Sequence, residues 1–291
     1  MHKAGFVNII GNPNAGKSTL MNALVGEKLS IITYKAQTTR HRIMGIVNGE
    51  DFQIVYSDTP GLLYKSAYKL HDAMMHSVNE ALGDADVFLL VIDITDRHDP
   101  EEKAIEKIRS SNVPLLIVLN KIDLVDLSKQ LAHAEKWQKS FPQAHIVPVS
   151  ALKVKNTGKV FDLILGFLPE HPAYFDKTEV TNRTQRFFIS EIIRGKIFLF
   201  YEQEIPYSCE VVITEYNEGE KLDKIRAEII VERESQKAIL IGNKGEAIKK
   251  LGTQARLDME EFLGKKVFIE LFVKVDKDWR NNENKLKQFG Y

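Results

Sequence analysis

Gly11-Asn12-Pro13-Asn14-Ala15-Gly16-Lys17-Ser18 places glycines, a lysine and a hydroxyl at the spacing G-x-x-x-x-G-K-[ST]. Glycines at those positions let successive backbone N–H groups turn inward around phosphate oxygens. The lysine then reaches the terminal phosphates, and the Ser18 hydroxyl can ligate Mg²⁺. Asn12, Asn14, Ala15, Gly16, Lys17, Ser18 and Thr19 form the expected phosphate-contacting set, and the candidates for catalysis are Lys17 and Asn14 with Thr38, Thr39 and Gly61. Three shorter motifs follow in order. In Asp58-Thr59-Pro60-Gly61 the carboxylate can hold Mg²⁺, usually through water, while Gly61 lets a backbone N–H approach a terminal phosphate. In Asn120-Lys121-Ile122-Asp123 the Asp123 carboxylate can accept from N1–H and the exocyclic amine of guanine, a pattern adenine cannot present. Ser150-Ala151-Leu152 can turn backbone N–H groups toward the guanine O6. The series selects GTP and GDP, with Mg²⁺, over ATP.

These residues need a scaffold that brings loop ends together. The apolar run Phe6 to Ile10 leads into the first loop and helical Thr19 to Leu24 leaves it, so the anion faces the positive end of a helix. Further continuous apolar runs lie at 87–92, 114–119 and 145–149, separated by amphipathic stretches at 67–82, 100–110, 128–140 and 156–168. Short strands without alternation are strands covered on both faces. The first half is therefore expected to be an α/β domain, a mostly parallel sheet with helices on both sides. Segments 42–48 and 52–57 are expected as an antiparallel edge pair.

Leu168-Pro169-Glu170-His171-Pro172 ends this rhythm. The boundaries expected are 1–170 for the first domain, 171–184 for a linker and 185–291 for the second domain with a C-terminal tail. There the order becomes α-β-β-α-α-β, with Ile225, Ala227, Ile229 and Val231 alternating against Arg226, Glu228 and Glu232. Between its last two helices sits Gly242-Asn243-Lys244-Gly245. Such a turn lets a nucleic-acid backbone approach closely beside an apolar groove for single-stranded bases. Residues 237–256 hold Lys237, Lys244, Lys249, Lys250 and Arg256 against one acid, Glu246. Candidate RNA contacts are Ile239, Ile241, Gly242, Asn243, Lys244, Gly245, Ile248, Lys249 and Arg256.

Over the 291 residues Lys plus Arg equals Asp plus Glu at 40 each, so only this local patch argues for nucleic acid. The length suits two domains. The single cysteine, Cys209, excludes intramolecular disulfides and cysteine-based zinc sites, which fits a reducing cytosol. No apolar run approaches the ~18 residues of a membrane span.

The ordered set GNPNAGKS, DTPG, NKID and SALK resembles the translation-factor-related P-loop GTPases over residues 1 to about 170. Thr38 and Thr39 in Lys35-Ala36-Gln37-Thr38-Thr39-Arg40 resemble the switch threonine motif, one of whose hydroxyls joins Mg²⁺ with Ser18 and Asp58; the sequence leaves open which. One departure bears on mechanism. Leu62 stands where Ras-like enzymes carry a water-orienting Gln. Asn14 matches the position at which a subset of similar GTPases holds K⁺ beside the phosphates, and the alternative is that it only shapes the loop.

The second half resembles a type II KH module, α+β in class. The combination, with Lys35-Ala36-Gln37-Thr38-Thr39-Arg40-His41-Arg42 and the closing Val273 to Arg280, is similar to the Era family of bacterial ribosome-assembly GTPases over nearly the whole chain. That resemblance implies GTP hydrolysis, binding to the 16S rRNA 3′ region and the 30S ribosomal subunit, and a monomer in the cytoplasm. It also implies weak peripheral association with the inner face of the cell membrane. The alternative reading is a nucleotide-sensing adaptor whose KH fold binds protein, with incidental hydrolysis.

Overall fold

The computed structural model describes residues 1–62, 67–100 and 102–291, so Glu101, inside one expected helix, lies outside the described residues. Backbone contacts divide it into two compact units, one holding 71–182 with the described residues up to 62, the other 67–70 with 183–291.

The first unit runs β1 (Lys3–Ile10), α1 (Lys17–Val25), β2 (Ile43–Asn48), β3 (Phe52–Asp58), α2 (Lys69–Gly83) and β4 (Val87–Asp93). It continues with α3 (Glu102–Ser110), β5 (Leu115–Asn120), α4 (Leu127–Ser140), β6 (His145–Pro148) and α5 (Thr157–Phe167). The strands form one sheet in the order β2-β3-β1-β4-β5-β6. All neighbours are parallel except β2 and β3. In β4, every residue from Val87 to Ile92 is buried, which explains its unbroken apolar run: helices cover both faces.

Parallel strands share one carboxyl edge, and all four motifs lie there. Register aligns them, with Ile9 opposite Asp58 and Asp93 opposite Asn120. Strand order also reverses at β1, which opens a crevice at that edge.

One expectation holds here and one is corrected. Segments 42–48 and 52–57 pair antiparallel at one edge of the sheet, as expected, with β2 outermost and β3 joined to β1. In β3 the consecutive residues Ile54, Val55 and Tyr56 are all fully buried, the mark of an internal strand. The expected linker, 171–184, is corrected: residues 174–182 bond to the first sheet, with 179–182 along β2. Thr181 bridges Gly45, Ile46 N–H donates to Val180 O at 2.9 Å, and Met44 N–H donates to Asn182 Oδ1 at 3.1 Å. Gln53, buried on β3, accepts from Tyr174 and Phe175 N–H at 2.7 and 3.0 Å and donates to Phe175 O at 2.9 Å. An uncovered edge strand leaves a row of polar groups unpaired, and this polar segment satisfies them.

The second unit comprises α6 (Gln185–Phe200), β7 (Glu210–Asn217), β8 (Leu222–Val231), α7 (Glu234–Ile241), α8 (Glu246–Leu263), β9 (Lys266–Val275) and a short α9 (Glu283–Gln288). Its sheet is β7-β8-β9, antiparallel then parallel. Ile189, Ile193 and Ile197 of α6 and Leu251, Ala255 and Met259 of α8 form i, i+4 stripes that pack on Ile225, Ala227, Ile229 and Val231 of β8. Thr184 caps α6 by accepting from Phe187 N–H. Cys209 is buried in the same core as a small apolar side chain. No apolar periodicity announced α9, whose six residues are mostly polar.

Gln53→Leu removes the acceptor for two backbone N–H groups and is expected to cost about 2 kcal/mol. Amide hydrogen exchange in residues 174–182 should accelerate while α1 and β4 stay protected. Unchanged exchange in that segment would show that Gln53 does not hold it.

Candidate functional site: a nucleotide cavity and a KH turn

A cavity of about 580 Å³ opens at the carboxyl edge of the first sheet. At one end lie Asn14, Gly16, Lys17, Ser18 and Thr19. Gly16, at φ +94°, precedes α1 with no side-chain cap, so the first-turn amides point into the cavity as anion donors. A Cβ on Gly16 would sit 2.2 Å from Asn120 Nδ2, which excludes any other residue. Lys17 is buried and donates to Gly11 O at 3.0 Å and Asn12 O at 2.9 Å. Burial lowers its ammonium to about 8, against the opposing pull of Asp58. Asn12 does not reach the cavity with its side chain, which donates to His98 O at 3.1 Å.

The hydroxyl of Ser18 donates to Asp58 Oδ2 at 2.6 Å and lies 3.0 Å from Thr39 Oγ1. Asp58 is fully buried, and burial pushes its carboxyl up despite the Ser18 hydrogen bond. Its Oδ1 has no partner at hydrogen-bonding distance, with the Ser30 hydroxyl the nearby group. Clustered hydroxyls and a buried carboxylate form a donor set that fits a hard cation such as Mg²⁺. Of the two threonines, Thr39 is the one in this cluster. Thr38 is turned into its own loop, 2.5 Å from Thr33 Oγ1 and donating to Lys35 O at 2.8 Å.

Gly61 lines the cavity but Leu62 does not. Leu62 is buried in the core with Ile10, Val78, Phe88 and Leu90. Its side chain neither reaches the phosphate end nor could orient water there.

At the other end lie Asn120, Lys121, Asp123 and Leu152. Asn120 is buried; its Nδ2 donates to Ala15 O at 2.9 Å and its Oδ1 accepts from Ala151 N–H at 3.0 Å. The Ala151 N–H, one of the backbone groups of the loop expected near guanine O6, is thus engaged by Asn120. Ala15 and Ser150 are buried behind the wall, and the Ser150 hydroxyl accepts from Lys153 N–H at 3.2 Å. Two wall features were missed in the sequence. Asp93 accepts from Lys121 Nζ at 2.5 Å, and a carboxylate closing the run Val87 to Ile92 was the available signal. Ile31, Ile32 and Tyr34 also line the cavity, and Tyr34 O accepts from Asn14 Nδ2 at 2.9 Å; no local pattern announced them.

In the second unit the turn 242–245 has Gly242, Lys244 and Gly245 at φ +72°, +47° and +80°. A Cβ on Gly242 would lie 2.5 Å from Ala247 Cβ, so the turn closes only with glycine there. Ile239, Asn243, Lys244 and Lys249 are exposed, and Ile241 and Ile248 half-buried. Ile269, Leu271 and Val273 of β9 remain half-buried where their neighbours on β8 are fully buried, which leaves an apolar strip open. Arg256, half-buried, pairs with Glu260 at 2.7 Å within α8.

A P-loop GTPase unit followed by a KH unit is thus the class that fold and sites define. Family models agree in sequence: 50S ribosome-binding GTPase matches residues 6–121 and KH domain matches 204–280. GTPase Era of Syntrophus aciditrophicus is 43% identical over 294 residues, covering 100% of this chain and 96% of that protein. GTPase Era of Staphylococcus haemolyticus is 40% identical over 292 residues, covering 100% and 97%. A solved structure of Era in complex with MgGDPNP and nucleotides 1506–1542 of 16S ribosomal RNA is 38% identical, with a TM-score of 0.95 and coverage of 100% and 99%. Aquifex aeolicus Era, as a variant bound to GDP and tetrafluoroaluminate, is 39% identical at a TM-score of 0.94 and 99% coverage of each chain. The chain belongs to the Era family of GTPases, and its reaction is hydrolysis of GTP to GDP and phosphate.

Two outcomes test this site. Without an anion, Lys17 loses its proton as pH rises through about 8, and a bound phosphate restores the charge. Nucleotide binding should therefore take up a proton above that pH, and affinity should fall between about pH 7 and about pH 9.5. Calorimetry in buffers of different ionisation enthalpy reads the uptake directly, and none at high pH would contradict the burial of Lys17. Leu62→Gln should not accelerate hydrolysis. It should instead destabilise the unit by roughly 1–3 kcal/mol through a buried, unpaired amide, seen as a lower urea midpoint.

Proposed function

We propose that this chain uses its GTP cycle to control binding of single-stranded RNA at the 3′ region of 16S rRNA, and so assists assembly and maturation of the 30S ribosomal subunit. The observation that carries the reading is the combination on one chain of a nucleotide cavity with a switch threonine and a KH turn with exposed lysines.

Lys17 and the α1 N-terminus neutralise the terminal phosphates, and Asp123 reads guanine. Ser18, Thr39 and Asp58 would hold Mg²⁺, which supplies charge neutralisation at the β- and γ-phosphates when bound. Thr39 then reports the γ-phosphate. It lies four residues before β2, whose edge carries the segment ending at Asn182, immediately before the KH unit begins in sequence. Loss of the γ-phosphate releases Thr39, and this continuous path gives the release a route to residue 183. The water nucleophile has no side-chain orienter at Leu62. Asn14 is the residue we assign to K⁺: its amide meets Tyr34 O, and a half-turn of that amide brings two oxygens together.

On the RNA side, Lys244 and Lys249 meet phosphates, while Ile239, Ile241 and Ile248 border the groove for bases. The protein works in the cytoplasm as a monomer. Weak membrane association rests on the family resemblance alone; among the described residues no helix is long and apolar enough to cross a membrane.

Filter binding of the 16S 3′ single strand should show different affinity with a GTP analogue and with GDP. By linkage, RNA must alter nucleotide affinity by the same factor. Replacing Asn243-Lys244 by Asp-Asp should abolish RNA binding and leave GTP affinity intact. Equal RNA affinity in both nucleotide states would refute the coupling, and RNA binding by the Asp-Asp variant would refute the turn as its site. Hydrolysis should also be faster in K⁺ than in Na⁺ by roughly a hundredfold, equivalent to on the order of 3 kcal/mol for a preorganised charge contact. An Asn14→Ala enzyme that keeps its K⁺ response would return Asn14 to a loop-shaping role.

A further inference from the structure

Asp93 closes β4 opposite Asn120, in a position no motif of the series includes. Its side chain is 12% exposed, and both of its oxygens are committed. Oδ1 accepts from Thr95 N–H at 2.8 Å and Thr95 Oγ1 at 2.6 Å, and Oδ2 accepts from Lys121 Nζ at 2.5 Å. The carboxylate is thus fixed by its own loop before it meets the lysine, which lowers the entropy lost in making the pair. An exposed ion pair is worth little; this one is two-thirds or more buried on each side and preordered on one.

Lys121 itself sits at φ +68°, a backbone conformation uncommon for a residue with a Cβ. An ammonium is strongly hydrated and, left alone, draws its flexible stem toward water. Here it is drawn to Asp93 instead. Both residues line the end of the cavity that also holds Asp123, Leu124 and Leu152. With its charge met by Asp93, Lys121 offers that end its methylene stem. A purine base has a flat, weakly polar face for which a methylene stem and two leucines are suitable walls.

We propose that Asp93 is a positioning residue for the nucleotide base: by holding the Lys121 ammonium it fixes the Lys121 stem as one wall of the base subsite. The inference rests on reading this end of the cavity as the guanine site through Asp123. Base contacts are common to GTP and GDP, so the effect falls equally on both nucleotides. It belongs to binding rather than to the chemical step.

The test is release of a fluorescent GDP and a fluorescent GTP analogue from the full chain by stopped flow, first in the wild type against the adenine counterpart. Failure of the wild type to prefer guanine would remove the underlying reading, independently of Asp93. With that preference established, Asp93→Ala should speed release of both nucleotides by about tenfold, the range over which related complexes differ mainly in off-rate. KM for GTP should rise by the same factor, with kcat changing less than about twofold. Asp93→Asn keeps an acceptor for Thr95 and removes the charge, so it decides the matter should the alanine variant not fold. The decisive comparison uses Lys121→Met, which keeps the stem length without the ammonium: in that background Asp93 substitution should change release little. The same factor in both backgrounds, or unchanged release in Asp93→Asn, would overturn the proposal.

Discussion

The nucleotide cavity depends on one buried amide. Asn120, at the end of β5, donates to Ala15 O in the loop after β1 and accepts from Ala151 N–H in the loop after β6. Three loops that are far apart in sequence are fixed to one another by a side chain whose donor and acceptor are both used. In a buried setting a polar group without partners costs on the order of 1–3 kcal/mol. The arrangement is therefore held by the penalty for breaking it as much as by the strength of the bonds. Gly16 belongs to the same constraint, since any side chain there would displace the Asn120 amide.

Electrostatics follow from the same packing. Burial lowers Lys17 and raises Asp58, so each of these neighbours resists its charged form when the site holds nothing. Phosphate favours the charged lysine and a divalent cation favours the charged carboxylate. Geometry and charge at the site are thus set by the same burial. The hydrophobic Leu62 completes this division: the core takes the position at which Ras-like enzymes place a polar side chain.

The KH unit solves a different problem with the same economy of positions. Its turn needs three residues at positive φ in four, and glycine fills the two that flank it. The open apolar strip on β9 exists because the helices cover β8 completely and β9 only in part.

Much of this was legible in the sequence, and the reason is local. Motif residues at fixed spacing and unbroken apolar runs determine the phosphate loop, the parallel sheet and the α-β-β-α-α-β order, because backbone conformation and burial on both faces are set within a few residues. What lay beyond the sequence involves partners distant along the chain. That residues 174–182 bond to the first sheet is decided by β2 and Gln53, while their composition reads as a linker. Thr39 rather than Thr38 stands beside Ser18 and Asp58, because adjacent residues point in different directions only once the loop is folded. The Ala151 N–H is taken by Asn120, Arg256 by Glu260, and Asp93 meets Lys121; each is a pairing between groups whose chemistry the sequence states and whose separation only tertiary packing sets.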